Sequence, residues 1–141
     1  MIKNISICIL LLISLFTYGQ TKCDTLGQSF IRTEKPPETE LSFDEIENHL
    51  NLKININDYK TESKLTPTLS FEINCKGETF NYKTKSIFDT LLINELINIF
   101  QNDFKWQPAY QNNKPVDFVM IISFDFKNDK IRILNDKEYF K

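Results

Sequence analysis

The sequence predicts an α+β domain, and three features predict it. Two segments, starting at Phe43 and Ile87, carry apolar residues at helical spacing behind Ser-x-x-acid capping boxes. Apolar and polar residues alternate on either side of Lys76-Gly77, as in a β-hairpin. A longer alternating run, from Val116 to Phe126, has the length of a principal strand.

The chain opens with Lys3 and an apolar run from Ile5 to Phe16, interrupted only by Ser6, Cys8 and Ser14. Thr17 and Gly19 then supply the small residues that signal cleavage requires, so residues 1–19 read as a secretory signal peptide. The apolar run is shorter than the ~20 residues of a membrane-spanning helix, and Gln20-Thr21-Lys22 turns polar at once. Cys23 follows Lys22, which is neither small nor neutral, so a lipid anchor on that cysteine is not expected. The expected location is periplasmic or secreted.

Residues 20–40 contain Glu34-Lys35-Pro36-Pro37-Glu38, which suits neither helix nor central strand and reads as an extended arm, anchored by Phe30 and Ile31. Residues 41–141 read as one domain. Ser42-Phe43-Asp44-Glu45 caps the first helix, with Leu41 and Ile46 as its hydrophobic staple, and Phe43, Ile46 and Leu50 share a face. That helix ends near Leu52, and a polar connection leads to Lys64.

In the hairpin, Leu69, Phe71, Ile73 and Cys75 point one way, and Phe80 and Tyr82 resume the alternation after the turn. Ser86-Ile87-Phe88-Asp89 is a second capping box, opening a helix from Ile87 to Asp103 whose Leu/Ile/Phe stripe belongs to a core. Pro108 and Pro115 bracket a turn, and the strand from Val116 is expected to be central because Val119 and Ile121 make its middle apolar on both faces. Asn128-Asp129 turns the chain, and Ile131 and Ile133 add a short edge strand.

The composition excludes several functions. With 19 acidic and 17 basic residues and no concentrated basic face, nothing favours nucleic acid. Three glycines, none in a phosphate-cradling loop, exclude Walker and Rossmann nucleotide sites, and no cofactor is expected. His49 is the single histidine, so neither a histidine metal cage nor a Ser-His-Asp triad can be assembled, and it reads as a boundary residue. No catalytic or metal-binding residue is assigned. Loss of Cys8 with the signal leaves Cys23 and Cys75, and both a disulfide and two separate thiols fit an exported chain. Trp106 and Tyr110 read as a lid on the core, with a binding anchor as the alternative.

The segment Trp106-Gln107-Pro108-Ala109, followed by Asn112-Asn113-Lys114-Pro115-Val116 and a strand ending in Phe124 and Phe126, resembles the carboxy-terminal domain of TonB, especially its small exported relatives in Bacteroidetes. Trp106, Pro108, Ala109, Lys114, Pro115 and Val116 carry the motif, with Asn113 where a glycine is usual. The resemblance extends back through the acidic-proline stretch and the hairpin, over residues 33–126.

It implies two helices packed on a three-stranded antiparallel sheet, and an interaction module that pairs an edge strand with a peptide segment of an outer-membrane receptor or transport component. The edge expected for that pairing is Asp125 to Leu134, with Phe126, Ile131 and Ile133 as its residues, and the same edge could join two copies as a homodimer. A membrane-tethered energy-transducer component with an uncleaved amino-terminal segment is the alternative reading. A small secreted enzyme is a third, disfavoured by the missing constellations.

Overall fold

The computed structural model describes residues 29–61, 65–87 and 89–134. The expected signal peptide, Cys8 and Cys23 lie outside them.

Helix α1 spans Phe43–Lys53 and begins as its sequence dictates. The Ser42 hydroxyl accepts from the Glu45 amide at 3.3 Å, and the Glu45 carboxylate accepts from the Ser42 amide at 2.7 Å. This reciprocal box satisfies two of the amides that any helix start leaves without an intrahelical partner. The same hydrogen bonds hold the Glu45 carboxyl below its ordinary value, the Ser42 amide contributing most. Ile46 and Leu50 turn fully into the core, and Leu41 packs against it. A 3-10 turn, Ile56–Asp58, follows, and its Ile56 is also buried.

Strand β1 is the pair Glu38–Thr39. Strands β2, Thr68–Ile73, and β3, Thr79–Lys85, form the expected hairpin. In its turn the buried Asn74 side chain accepts from the Lys76 and Glu78 amides, at 2.9 and 3.0 Å. β3 carries a bulge between Phe80 and Lys83, where Asn81 adopts a left-handed φ of 57°. Ser86, with φ 61°, then ends the strand.

Helix α2 spans Thr90–Asn102 rather than starting at Ile87. Ser86 is not its cap: the Asp89 carboxylate is, accepting from the Leu91 and Leu92 amides at 3.0 and 3.3 Å. It also accepts from the Lys60 amide at 3.0 Å, pinning the loop after α1, and this bond is the first cause of its lowered pKa. Leu92, Leu96, Ile99 and Phe100 form the buried face of α2.

Three short strands follow, β4, Trp106–Gln107, β5, Ala109–Gln111, and β6, Lys114–Val116, before the long β7, Phe118–Lys127, and the short β8, Lys130–Ile133. The expected run from Val116 is thus split, with Val116 in β6 and Asp117 between the strands. Asn112 and Asn113, at φ 51° and 59°, turn β5 into β6, and Asn128 and Asp129, at φ 53° and 59°, turn β7 into β8. Consecutive left-handed residues make the tight turn whose twist matches a hairpin, and Asn and Asp tolerate that backbone better than other residues.

The main sheet is antiparallel and has four strands in the order β3-β2-β7-β8, one more than expected, with two further ribbons, β1-β4 and β5-β6. The helix-facing side of the sheet is Leu69, Phe71 and Ile73 from β2 and Phe118, Met120, Ile122 and Phe124 from β7, all buried. Phe100 of α2 sits among them, its ring centroid 5.6 Å from Phe71 and 6.5 Å from Phe124. β7 is an inner strand as expected, but Ile121 is 51% exposed because nothing among the described residues covers the opposite face there.

Candidate functional site: the strand edges

A peptide could pair wherever a strand turns its backbone away from the sheet, and three stretches are candidates: β8, the outer side of β7 and β3. The β8 edge, expected to be the open one, is closed by α1. The Asn51 side chain donates to the Ile131 carbonyl at 2.7 Å and accepts from the Ile131 amide at 2.9 Å, so one amide side chain pairs with the backbone as a strand residue would. Glu47 accepts from the Ile133 amide at 2.8 Å. Ile131 is fully buried, and Ile133 and Phe126 pack half-buried against the core. The three residues expected to receive a partner are therefore spent on the protein's own helix and core.

The outer edge of β7 is shared. Phe30 pairs with it at one end, its amide donating to the Asp117 carbonyl at 2.9 Å and its carbonyl accepting from the Val119 amide at 2.8 Å. β8 takes the other end, extended by the Leu134 amide, which donates to the Ser123 carbonyl at 2.8 Å. Only Ile121 stands between them with its backbone facing that side, too short a gap for a partner strand.

The third candidate is the outer edge of β3. The Phe124 amide donates to the Pro67 carbonyl, so alternate residues from Pro67 onward address β7 and the intervening Thr68, Ser70 and Glu72 address β3. Thr84 lies opposite Leu69 and so turns its amide and carbonyl away from the sheet. Among the described residues no other strand or side chain pairs with that outer edge. Lys83 and Lys85, opposite Ser70 and Thr68, stand exposed on the helix-free face and make no ion pair among the described residues. Tyr82 turns the other way and stacks on Phe71 at 5.2 Å; burial pushes its hydroxyl pKa up.

The Trp106 to Val116 segment divides between core and surface. Trp106 in β4 is 7% exposed, lies edge-on to Phe71 at 5.6 Å, and its indole N–H has no hydrogen-bond partner among the described residues. Ala109 and Val116 face each other across the β5-β6 ribbon, both buried, while Pro108 is half-buried and Lys114 and Pro115 are exposed. The expected arm is docked on this segment through its described part. Glu38 and Thr39 pair with Gln107 and Trp106. Lys35 exchanges backbone hydrogen bonds with Tyr110 at 2.8 and 3.1 Å and sets its ammonium over that ring. Glu34 accepts from the Asn112 amide and the Gln111 side chain, both at 3.1 Å. Phe30 packs on the core as expected, whereas Ile31 is 60% exposed.

His49 joins α1 to the end of α2 through a 2.7 Å contact between its Nε2 and Asp103, with its ring edge-on to Phe104. Cys75 sits half-buried in the β2-β3 turn; the expected partner, Cys23, lies outside the described residues. Among the described residues there is no group of three His, Cys, Asp or Glu side chains placed to hold a metal, and no helix long and apolar enough to cross a membrane.

No family model matches the chain, and no curated protein and no solved structure matches it either.

Proposed function

We propose that the chain is an exported protein-interaction module, non-catalytic and resembling the TonB carboxy-terminal domain, which binds a protein partner by strand addition at the outer edge of β3. The observation that carries this reading is the contrast between edges: α1 caps β8 through Asn51 and Glu47, while the outward amide and carbonyl of Thr84 in β3 have no partner among the described residues. Strand addition uses main-chain groups of this kind, over a short stretch of edge. The order helix, hairpin, helix, long strand and the Trp106 to Val116 segment support the TonB-like part of the reading. The signal-like residues 1–19 support export to the periplasm or beyond, with an outer-membrane transport component as the expected partner.

The test is site-directed photo-crosslinking in fractionated cells. A photoreactive side chain at Thr84 is expected to trap an envelope protein, while the same group at Arg132, on the capped β8, traps none. Equal trapping from both positions, or trapping from Arg132 alone, refutes the assignment of the edge.

A further inference from the structure

The β3 edge also carries information about what it accepts. Thr84 lies opposite the buried Leu69, so its side chain belongs to the helix-facing side of the sheet; Lys83 and Lys85 project from the other side. The residues beside them on that face are the neutral Ser70 and Thr68 of β2, with Ile121 and Ser123 of β7 beyond. The nearest acids on that face are engaged. Glu72 accepts from Ser29 at 2.6 Å and from Asn81, and Asp125 pairs with Lys127 at 3.5 Å. The open edge thus carries two cations two residues apart, neither in an ion pair among the described residues.

A second copy of this chain is a poor occupant, because antiparallel self-pairing centred on Thr84 would set each Lys83 opposite a Lys85, and like charges directly opposite destabilise a strand pair. Parallel or shifted pairings still bring four ammonium groups to one seam. The bulge at Asn81 and the left-handed Ser86 bound the straight part of the edge to Tyr82–Lys85, so an incoming strand is read over a few residues only.

We infer that the β3 edge selects an extended segment of acid–x–acid pattern, in which the middle residue pairs with Thr84 and the two carboxylates lie against Lys83 and Lys85. This inference rests on the strand-addition reading above and adds the chemistry of the partner. The middle side chain falls on the helix-facing side, beside Thr84, and a β-branched residue suits that position. Exposed ion pairs across a strand seam contribute modestly to affinity, so their role is selection and register more than strength.

The probe is the capped peptide Thr-Glu-Val-Glu-Thr, labelled with a fluorophore and titrated with the intact exported protein, against Thr-Gln-Val-Gln-Thr and Thr-Lys-Val-Lys-Thr. The acidic peptide is expected to bind several-fold more tightly than the glutamine peptide, less so as salt is raised. The lysine peptide should not bind measurably. The double substitution Lys83→Glu with Lys85→Glu is expected to invert the order, and Thr84→Pro, which removes an outward amide and no bond to β2, to abolish binding of every peptide. Circular dichroism and the denaturation midpoint confirm that each variant is folded. If the acidic and glutamine peptides bind alike and Thr84→Pro abolishes both, the edge stands and the acidic selectivity is wrong. If the acidic peptide binds as well to folded Thr84→Pro as to the wild type, or if it does not bind at all, the inference is overturned.

Discussion

At Gly77 one missing atom decides how the hairpin packs. The residue has φ 81°, and a Cβ built there would run into the carbonyl oxygen of Trp106. The β2-β3 turn and the start of β4 are therefore pressed together, which explains why Lys76-Gly77 and Trp106-Gln107, far apart in sequence, belong to one structural unit. Gly77→Ala combines a left-handed backbone with a collision against main chain, and is expected to cost about 1–3 kcal/mol from the backbone alone. A lowered urea midpoint with unchanged denaturant slope would register it. Gly77→Asn, which tolerates the backbone but still collides, should recover only part of that loss. Both halves of this contact are visible as a turn and a motif in the sequence; their meeting is not, because nothing local encodes it.

Caps and covers act at the level of whole elements. The Asp89 carboxylate starts α2 and holds the Lys60 amide, and its pKa lies below the ordinary 3.8. A group with a depressed folded pKa contributes stability that is present above its unfolded value and is lost as pH falls through the folded one. Stability should therefore decline as the pH drops below about 4, with Glu45 of the α1 box adding to the loss from its ordinary 4.5 downward. Asn also caps helices, but its amide nitrogen cannot accept from Lys60, so Asp89→Asn is expected to keep the α2 cap, to lose the Lys60 bond at neutral pH and to flatten this acid limb, measured by urea denaturation from pH 7 to pH 3.

The cover over β8 works differently. Asn51→Ala leaves the amide and carbonyl of the buried Ile131 without their side-chain partner. The expected cost is about 1–3 kcal/mol. Because it also opens an edge, self-association on size-exclusion chromatography should rise along with the loss of stability. Ile131→Pro would be a poor probe of partner binding, since it removes the amide that Asn51 holds and strikes the fold first.

At the largest scale, residues 29–39 are stitched to the carboxy-terminal half at three points, by Phe30 at β7, Lys35 at Tyr110 and Thr39 at Trp106. A disulfide between Cys23 and Cys75 would add a covalent tie between that segment and the hairpin turn, and we propose that it forms in the exported protein. The loop it would close is long, and such a link commonly contributes 2–4 kcal/mol. Alkylation of the native protein under denaturing conditions, with and without prior reduction, should show two added labels only after reduction; two labels without reduction would remove the disulfide from the account. The same intact masses report whether the chain begins at Gln20.

Features whose causes lie within a few residues can be read from the chain alone. The Ser42–Glu45 box, the hairpin about Lys76-Gly77, the buried stripe of α2, the alternation of β7 and the paired turns at Asn112-Asn113 and Asn128-Asp129 were all legible, because each is set by local hydrogen bonding, backbone preference or side-chain period. The second capping box misled because Ser86 and Asp89 both satisfy the pattern. The Lys60 amide, 29 residues upstream of Asp89, helps hold the carboxylate at the helix start that α2 uses. Which edge is open depends on contacts between segments far apart in the chain. Asn51 reaches Ile131 across 80 residues of chain, and no periodicity in α1 marks that side chain as a cover for β8. The lysines at 83 and 85 were equally visible as residues, but they became a candidate site only once β3 was placed at the end of the sheet, where backbone groups and charge face outward together. Edges are a property of strand order, and strand order follows from long-range packing that no local pattern carries.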